Sequence, residues 1–358
     1  MAGMVSYPTI AAMQQFKPSN NYSNSNHPTT LMKVEAKYYE SLDGNVRCNM
    51  CPHNCTIKPD QYGLCRGRKN ENGTLWAINY GRTTSIALDP IEKKPLYHFY
   101  PGANILSIAC NSCNMRCPFC QNWEISQDEA QTQFIAPDVL VKIYQEHTSI
   151  GIAYTYTEPL MWFEYLLDAG ARIHAAGGKN VLVTNGMINE QPLRDLLPLV
   201  DAMNIDLKTM DEDVYRKILR GDLEAVKKTI EIAHEYCHLE ITNLLVTGLN
   251  DKKKDVNAII DYVASIDSNI PLHFSRYYPN YQYDKPPTPE KKLSYAYEQA
   301  KKKMKYVYLG NVTTEDGSST YCPECHNLLI ERIYYQAVPL GLKGNTCKKC
   351  GAKINVVI

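Results

Sequence analysis

The chain carries no net charge at pH 7, because 38 lysines and arginines offset 38 aspartates and glutamates across 358 residues. It therefore lacks the basic footprint with which proteins hold a phosphate backbone, and nucleic acid is not an expected partner. Two lysine runs, Lys252-Lys253-Lys254 and Lys301-Lys302-Lys303, read as solvated surface. Also missing is any apolar run long enough to cross a bilayer, and the opening residues lack the basic start and continuous apolar core of a secretory signal. The expectation is a soluble, cytoplasmic protein with no membrane partner. In that reducing compartment, 13 cysteines point to metal ligation rather than disulfides. A hydrophobic content of 44% supplies a sizeable core.

Three of the cysteines decide the reading. Cys113, Cys117 and Cys120 stand in the spacing C-x3-C-x2-C, with Phe119 directly before the last of them. Three thiolates on one tight loop can hold three irons of a 4Fe-4S cube and leave the fourth iron open to chemistry. Zinc knuckles instead use paired C-x2-C with a fourth ligand, and the first gap here is three. The spacing resembles the signature of the radical S-adenosylmethionine (SAM) superfamily. That resemblance implies SAM chelated at the open iron and an electron arriving from an external donor. It also implies reductive cleavage to methionine and a 5'-deoxyadenosyl radical that takes hydrogen from a substrate. Such a cofactor carries the hard chemistry, while the protein binds, orients and shields it.

From about Asn104 to Asn311, short β-rich runs alternate with longer amphipathic stretches, the pattern of β/α units around a parallel sheet. The expected fold is α/β, a partial (β/α)6 barrel of radical SAM type. Its six strands are read at Asn104 to Ala109, Gly151 to Tyr156, Asn180 to Thr184, Ala202 to Asp206, Leu239 to Val246 and Pro271 to Tyr277. Helices are read at Pro137 to His147, Leu160 to Ala175, Leu223 to Tyr236 and Pro289 to Met304. Residues 1–34 are a polar tail expected to be disordered. Residues 35–100 form a small Cys-rich metal-binding lobe, 101–314 the radical SAM core and 315–358 a zinc-ribbon lobe. The first lobe is expected to dock through a β-hairpin pairing Thr74 to Tyr80 with Thr83 to Ala87 across Gly81-Arg82.

In a β/α barrel, function gathers on loops at the carboxyl ends of strands, and the three cysteines follow the first strand there. The same rule nominates residues after the second, third and fourth strands. Thr157-Glu158-Pro159 resembles, through Glu158 and Pro159, the Gly-Gly-Glu-Pro segment that meets the SAM amino group in the superfamily. Thr184-Asn185-Gly186 offers polar groups, Asn185 foremost, to the SAM ribose or carboxylate. Asp206-Leu207-Lys208 resembles the Asp-Leu-Lys segment of glycyl-radical activating enzymes, where it contacts SAM. Each of these residue types also favours helix caps and turns. Phe119 occupies the superfamily position that packs on the SAM adenine. His273 is read as a satisfied strand histidine, Cys110 as a buried strand-end thiol and Cys237 as a core residue.

Two further cysteine groups flank the core. Cys322-x2-Cys325 and Cys347-x2-Cys350 make the paired knuckles of a four-thiolate ribbon, with Gly351 suited to the tight turn. Structural zinc is the expected metal, ahead of a rubredoxin-like iron or an auxiliary cluster. Cys48, Cys51, Cys55 and Cys65 fit either zinc or an auxiliary 4Fe-4S cluster, with His53 a substitute ligand.

From about Val46 onward, the chain is similar to the AmmeMemoRadiSam-system radical SAM proteins, relatives of the pyruvate formate-lyase activating enzyme. The similarity rests on the Arg47-Cys48 to Cys65 lobe, the segment Asp89 to Leu96, the cluster loop running into Gln121 to Ser126, and the terminal ribbon. It implies a radical SAM enzyme whose target can be a protein, with Memo-type and Ammecr-type proteins as company. A glycyl-radical activase is the sharper form of this reading. A non-catalytic iron-sulfur and zinc scaffold is the alternative from another class.

Overall fold

The computed structural model describes residues 33–313 and 317–358. The tail read at 1–34 lies outside them except for its last two residues. At the centre is a nine-stranded sheet. Its strands are β1 (Arg82–Pro90), β2 (Asn104–Cys110), β3 (Gln133–Phe134), β4 (Gly151–Tyr154), β5 (Lys179–Thr184), β6 (Ala202–Asp206), β7 (His238–Leu245), β8 (Leu272–Arg276) and β9 (Val307–Gly310). They lie in the order β9-β8-β7-β6-β5-β4-β2-β1-β3. From β2 to β9 the neighbours run parallel, and β1 pairs antiparallel with both β2 and β3. The wall thus holds seven parallel strands rather than six, and its two edges remain unpaired with each other.

Helices α1 (Pro137–Gln145), α2 (Phe163–Ala175), α3 (Glu190–Leu196), α4 (Leu223–Tyr236), α5 (Lys253–Ile266) and α6 (Glu290–Ala300) supply the crossovers. Each start has a local cause. Pro137 opens α1 at a position where no amide donor is needed, and the Asp222 carboxylate caps α4 by accepting from the Ala225 amide at 2.9 Å. Period-two alternation divides the strand residues between the two faces of the sheet. Leu106, Ile152, Leu182 and Met203 pack in the large core with helix residues such as Leu166 and Val226. Ile105, Ala153, Val181 and Ala202 face the other way, against Ile91, Leu96 and Phe99.

Those three apolar residues belong to a segment that plugs the amino-terminal end of the wall. As the chain runs from 95 to 98, the Asn204 amide on β6 donates to the Pro95 carbonyl at 2.8 Å. Glu240 on β7 then accepts from the Tyr97 and His98 amides at 3.0 and 2.7 Å. Burying side chains of this size contributes about 1.5–3 kcal/mol each. The carboxyl-terminal lobe docks on the same end. Arg332 stacks over Tyr97 at 4.3 Å, and the Val357 amide donates to the His98 carbonyl at 2.8 Å.

The amino-terminal lobe differs from its sequence reading. Thr74–Ala77 pairs with Arg68–Glu71 across Asn72-Gly73, not with the strand beyond Gly81. Asn72 and Gly73 both have positive φ, 54° and 82°, as a hairpin turn matched to strand twist requires. The chain then leaves the lobe, and β1 joins the central sheet. The central sheet therefore takes its first strand from Arg82–Pro90.

Candidate active site

The cysteine loop leaves β2 and is held in place from four sides. The Arg116 amide donates to the Leu219 carbonyl at 2.8 Å, and its guanidinium holds the Cys113 and Met115 carbonyls at 2.8 Å while also reaching Leu64. The Gln282 amide donates to the Pro118 carbonyl at 2.8 Å, and the Asn114 side chain donates to the Met187 carbonyl at 2.7 Å. Glu158 closes the fourth side, its amide donating to the Ser112 carbonyl at 3.1 Å. A loop fixed this way presents its thiols without first having to be ordered.

Cys117 is buried, and Cys113 and Cys120 are half-buried. Burial pushes the Cys117 thiol up to about 11 against the pull of the Lys208 ammonium, and it raises Cys113 well above the ordinary thiol range. Thiols held protonated in this way give up their protons only to a metal or a strong base. Cys120 Sγ lies 3.2 Å from Ser126 Oγ, and the Asn185 amide lies 3.9 Å from Cys113 Sγ.

The polar groups nominated at the strand ends meet at this loop. Glu158 is buried, and its carboxylate accepts from Thr184 Oγ1 at 2.6 Å, the Asn185 amide at 2.8 Å and the Leu160 amide at 3.0 Å. Burial dominates those bonds and raises its carboxyl to about 7. The Asn185 side chain donates to Asn114 Oδ1 at 2.9 Å and accepts from the Met187 amide at 2.8 Å. Lys208 Nζ stands 3.1 Å from Asp206 Oδ2. Burial pulls Lys208 down, yet Asp206 and the Cys117 thiol together hold its ammonium above its ordinary value. Asn243 and Asn250 both donate to the Lys208 carbonyl, at 3.1 and 2.6 Å, and so fix the turn that carries it. Asp206, Lys208 and Cys117 are thus electrostatic neighbours, as are Glu158 and Cys113.

Phe119 is buried with its ring edge-on to Tyr283 at 6.2 Å. The segment after β8 that carries Tyr283 also stacks Tyr281 on Trp123 at 5.1 Å. Sequence reasoning missed this cover, along with Asn114 and Arg116, although the last two sit inside the motif. His273 is not in the site. It pairs with Glu240 at 2.7 Å beside the plug. Three residues along on the same strand, Arg276 pairs with Glu290 and donates to the Thr288 carbonyl. Cys110 is buried with its thiol 3.4 Å from Thr157 Oγ1, and the Cys237 thiol lies against the Ala233 carbonyl in the last turn of α4.

Among the described residues, Cys322, Cys325, Cys347 and Cys350 bring their sulfurs within 4.8 Å of one another. Cross-knuckle separations are 3.6 and 3.7 Å, close to the roughly 3.8 Å edge of a tetrahedron with Zn–S bonds of about 2.3 Å. These four residues could hold a single metal ion. Cys113, Cys117 and Cys120 share one loop, and three thiolates on a loop can hold three irons of a 4Fe-4S cube. The donor set around them, three thiols with a carboxylate, an amide and an ammonium, fits a 4Fe-4S cluster beside a zwitterionic amino acid group. Cys48, Cys51, Cys55 and Cys65 line a small enclosed cavity on the far side of the Ser112–Asn114 backbone.

Comparison with known proteins agrees with this geometry. Residues 107–263 match the Radical SAM superfamily. Uncharacterized protein MJ0808 of Methanocaldococcus jannaschii is 44% identical over 334 residues, covering 90% of this chain and 99% of that protein. The pyruvate formate-lyase-activating enzyme of Staphylococcus epidermidis is 24% identical over 181 residues, covering 47% of this chain and 72% of the enzyme. The GTP 3',8-cyclase of Lactiplantibacillus plantarum is 27% identical over 165 residues, covering 41% and 49%. The chain therefore carries a radical SAM domain and belongs to one family with Uncharacterized protein MJ0808.

Proposed function

We propose that this protein is a radical SAM enzyme of the activating-enzyme kind. The observation that carries the reading is the meeting of Glu158, Asn185, Asp206 and Lys208 with Cys113, Cys117 and Cys120 at one end of the sheet. Bound by the three thiolates, a 4Fe-4S cluster supplies the electron that splits SAM into methionine and a 5'-deoxyadenosyl radical. Glu158 accepts from the SAM ammonium, whose positive charge offsets the burial that otherwise disfavours its carboxylate. Lys208 faces the SAM carboxylate, Asn185 orients it, and Phe119 with Tyr283 forms the apolar wall for the adenine. The buried setting of these groups excludes water from a reactive radical.

Hydrogen is taken from an outside substrate, in our reading a glycine backbone position on a partner protein. The Memo-type and Ammecr-type proteins are the first partners to test. Zinc in the ribbon and a reducing, cytoplasmic setting complete the proposal. Among the described residues, no helix is long and apolar enough to cross a membrane.

The test is 5'-deoxyadenosine formation from SAM by anaerobically reconstituted protein under dithionite. Wild-type protein forms it and Cys117→Ser does not. A wild-type protein with full iron that leaves SAM intact, alone and with each candidate partner, would be a scaffold instead. A protein target shows itself as a glycyl signal in electron paramagnetic resonance (EPR) when the partner is added.

A further inference from the structure

We propose that the exposed hairpin of the carboxyl-terminal lobe is the docking surface for an acidic polypeptide segment, the protein target of the radical reaction. The target half of this inference rests on the function proposed above, and the docking half does not.

The hairpin pairs Leu328–Ile333 with Gln336–Pro339 and turns at Tyr334-Tyr335. Alternation sends Ile330 and Arg332 inward, where Arg332 stacks over Tyr97. It leaves Ile333, Tyr334, Tyr335, Val338 and Leu340 outward, from 46% to 78% exposed. So many large apolar side chains gathered on one short hairpin form a patch of the kind that marks an interaction site.

The turn adds an independent sign. Tyr334 has φ 56°, a left-handed conformation that a two-residue hairpin turn favours for asparagine or glycine. A bulky residue is costly there, and at 78% exposure its ring gains no burial in return. Tyrosine does gain at an interface, where the ring supplies a large contact and the hydroxyl a hydrogen bond.

Charge selects the occupant. Lys93 Nζ lies 5.7 Å from the Tyr335 ring at one end of the patch, and Lys348 turns its ammonium onto the Leu340 carbonyl at 2.8 Å at the other. From Ile333 to Ile358 the chain has four lysines, Lys343, Lys348, Lys349 and Lys353, and no aspartate or glutamate. All four are exposed. Glu331, opposite Val338 in the register, is the one carboxylate of the hairpin. Apolar contacts framed by lysines fit a segment in which acidic residues alternate with apolar ones. A second copy would set lysine on lysine. Strand addition is disfavoured as well, because the edge strand carries Pro339, which has no amide hydrogen to donate.

Placement ties the surface to the site. The lobe sits across the gap between the two unpaired edges of the central sheet. On the β9 side, the Leu309 amide donates to the Gly317 carbonyl at 2.8 Å, and the Tyr308 hydroxyl lies 2.7 Å from Thr320 Oγ1. On the β1 side, a Cβ on Gly102 would stand 2.4 Å from the Ala337 carbonyl oxygen, and Lys93 pairs with Asp89 at 3.0 Å. Asp89 in turn accepts from the Tyr156 hydroxyl, and the Tyr156 carbonyl accepts at 2.8 Å from Asn122, just beyond Cys120. Because β3 pairs only with Arg82 and Thr83, the rest of β1 keeps a free edge. A segment seated on the hairpin is led along that edge toward the cysteine loop.

The test reads retention of the full-length, anaerobically reconstituted protein on an array of immobilised peptides graded from acidic to basic, each alternating charged with apolar residues around a central glycine. Acidic peptides should be retained best. Tyr334→Gly and, separately, Val338→Ser should weaken the tightest of them about tenfold, as loss of an interface anchor does. Tyr334→Gly should melt no lower than wild type, since glycine suits the turn, so its weaker binding is not a failure to fold. Lys343→Glu with Lys348→Glu should shift the preference away from acidic peptides. Absent retention, retention that ignores charge, or retention that these variants leave unchanged overturns the docking surface. So does a dimer in sedimentation that Tyr334→Gly breaks, or binding of single-stranded RNA or phosphatidylserine vesicles that it abolishes.

For the target half, the best-retained peptide should raise deoxyadenosine formation by wild type under dithionite, and raise it less for Tyr334→Gly at the same peptide concentration. No stimulation of a protein that does cleave SAM overturns that half. If iron-replete wild type never cleaves SAM, the proposed function fails, while the array still decides the docking surface.

Discussion

Glu158 concentrates three buried donors on one carboxylate, and its protonation links the site to stability. Its carboxyl is raised from 4.5 to about 7, so between those values the folded chain holds a proton that the unfolded chain has released. Stability contributed by this group therefore falls as pH rises from about 4.5 to about 7. Urea unfolding of the metal-free protein across that window should show the decline, and Glu158→Gln should flatten it. Glu158→Ala strands the Thr184 hydroxyl and the Asn185 and Leu160 amides, at about 1–3 kcal/mol for each left unpaired. Its urea midpoint should drop well below that of the glutamine variant, and SAM binding should weaken in both. The position of Glu158 at a strand end was legible in the sequence. Its partners were not, because Thr184 and Asn185 reach it from a neighbouring strand.

At the scale of elements, the amino-terminal lobe meets the core where the Gly67 backbone lies against the buried side chains of Ser112 and Asn79. A Cβ on Gly67 would stand 2.5 Å from Ser112 Oγ and 2.6 Å from Asn79 Nδ2. Gly67→Ala must displace the Ser112 and Asn79 side chains and disturb the Ser112 hydroxyl's bond to the Cys65 carbonyl, at a cost of about 1–3 kcal/mol. The expected outcome is a lower unfolding midpoint together with lower iron retention, read by denaturant titration and metal analysis. Six of the seven parallel strands were read nearly in place, since β-rich runs between amphipathic helices are a local signal. The seventh, Val307–Gly310, is only four residues long and was not read as a strand. The misplaced hairpin has a different cause. Both Asn72-Gly73 and Gly81-Arg82 suit a turn, and only the competition of β2 for the strand after Gly81 decides between them.

The molecule as a whole is closed at the end of the sheet opposite the cysteine loop by the plug and the terminal lobe. His98 joins the two, with Nδ1 2.5 Å from the Asn355 carbonyl oxygen and Nε2 2.6 Å from the Tyr308 hydroxyl. Burial lowers its imidazole from 6.5 to about 3, so in that window the unfolded chain binds a proton that the folded chain excludes. Stability should be lost progressively as pH falls from about 6.5 toward about 3, and His98→Gln should lose less, as thermal unfolding across that range will show. A closed four-cysteine site contributes folding energy of its own. On the proposed assignment of zinc to the ribbon and a cluster to the Cys113 loop, Cys322→Ser should release about one zinc per chain and lower the melting temperature without loss of iron.

What the sequence determined by itself was the chemistry available: three cysteine groups whose spacing is local, and strand-end polar residues whose place follows from the β/α alternation. Backbone geometry over a few residues sets those features, and they need no distant contact. Only tertiary structure decided which groups share a site. It set Lys208 beside Cys117 and Asn185 beside Cys113, tied His273 to Glu240, and brought the four ribbon sulfurs to within 4.8 Å of one another. Those outcomes depend on strand order and on the packing of lobes against the sheet, which are long-range balances that no stretch of sequence contains.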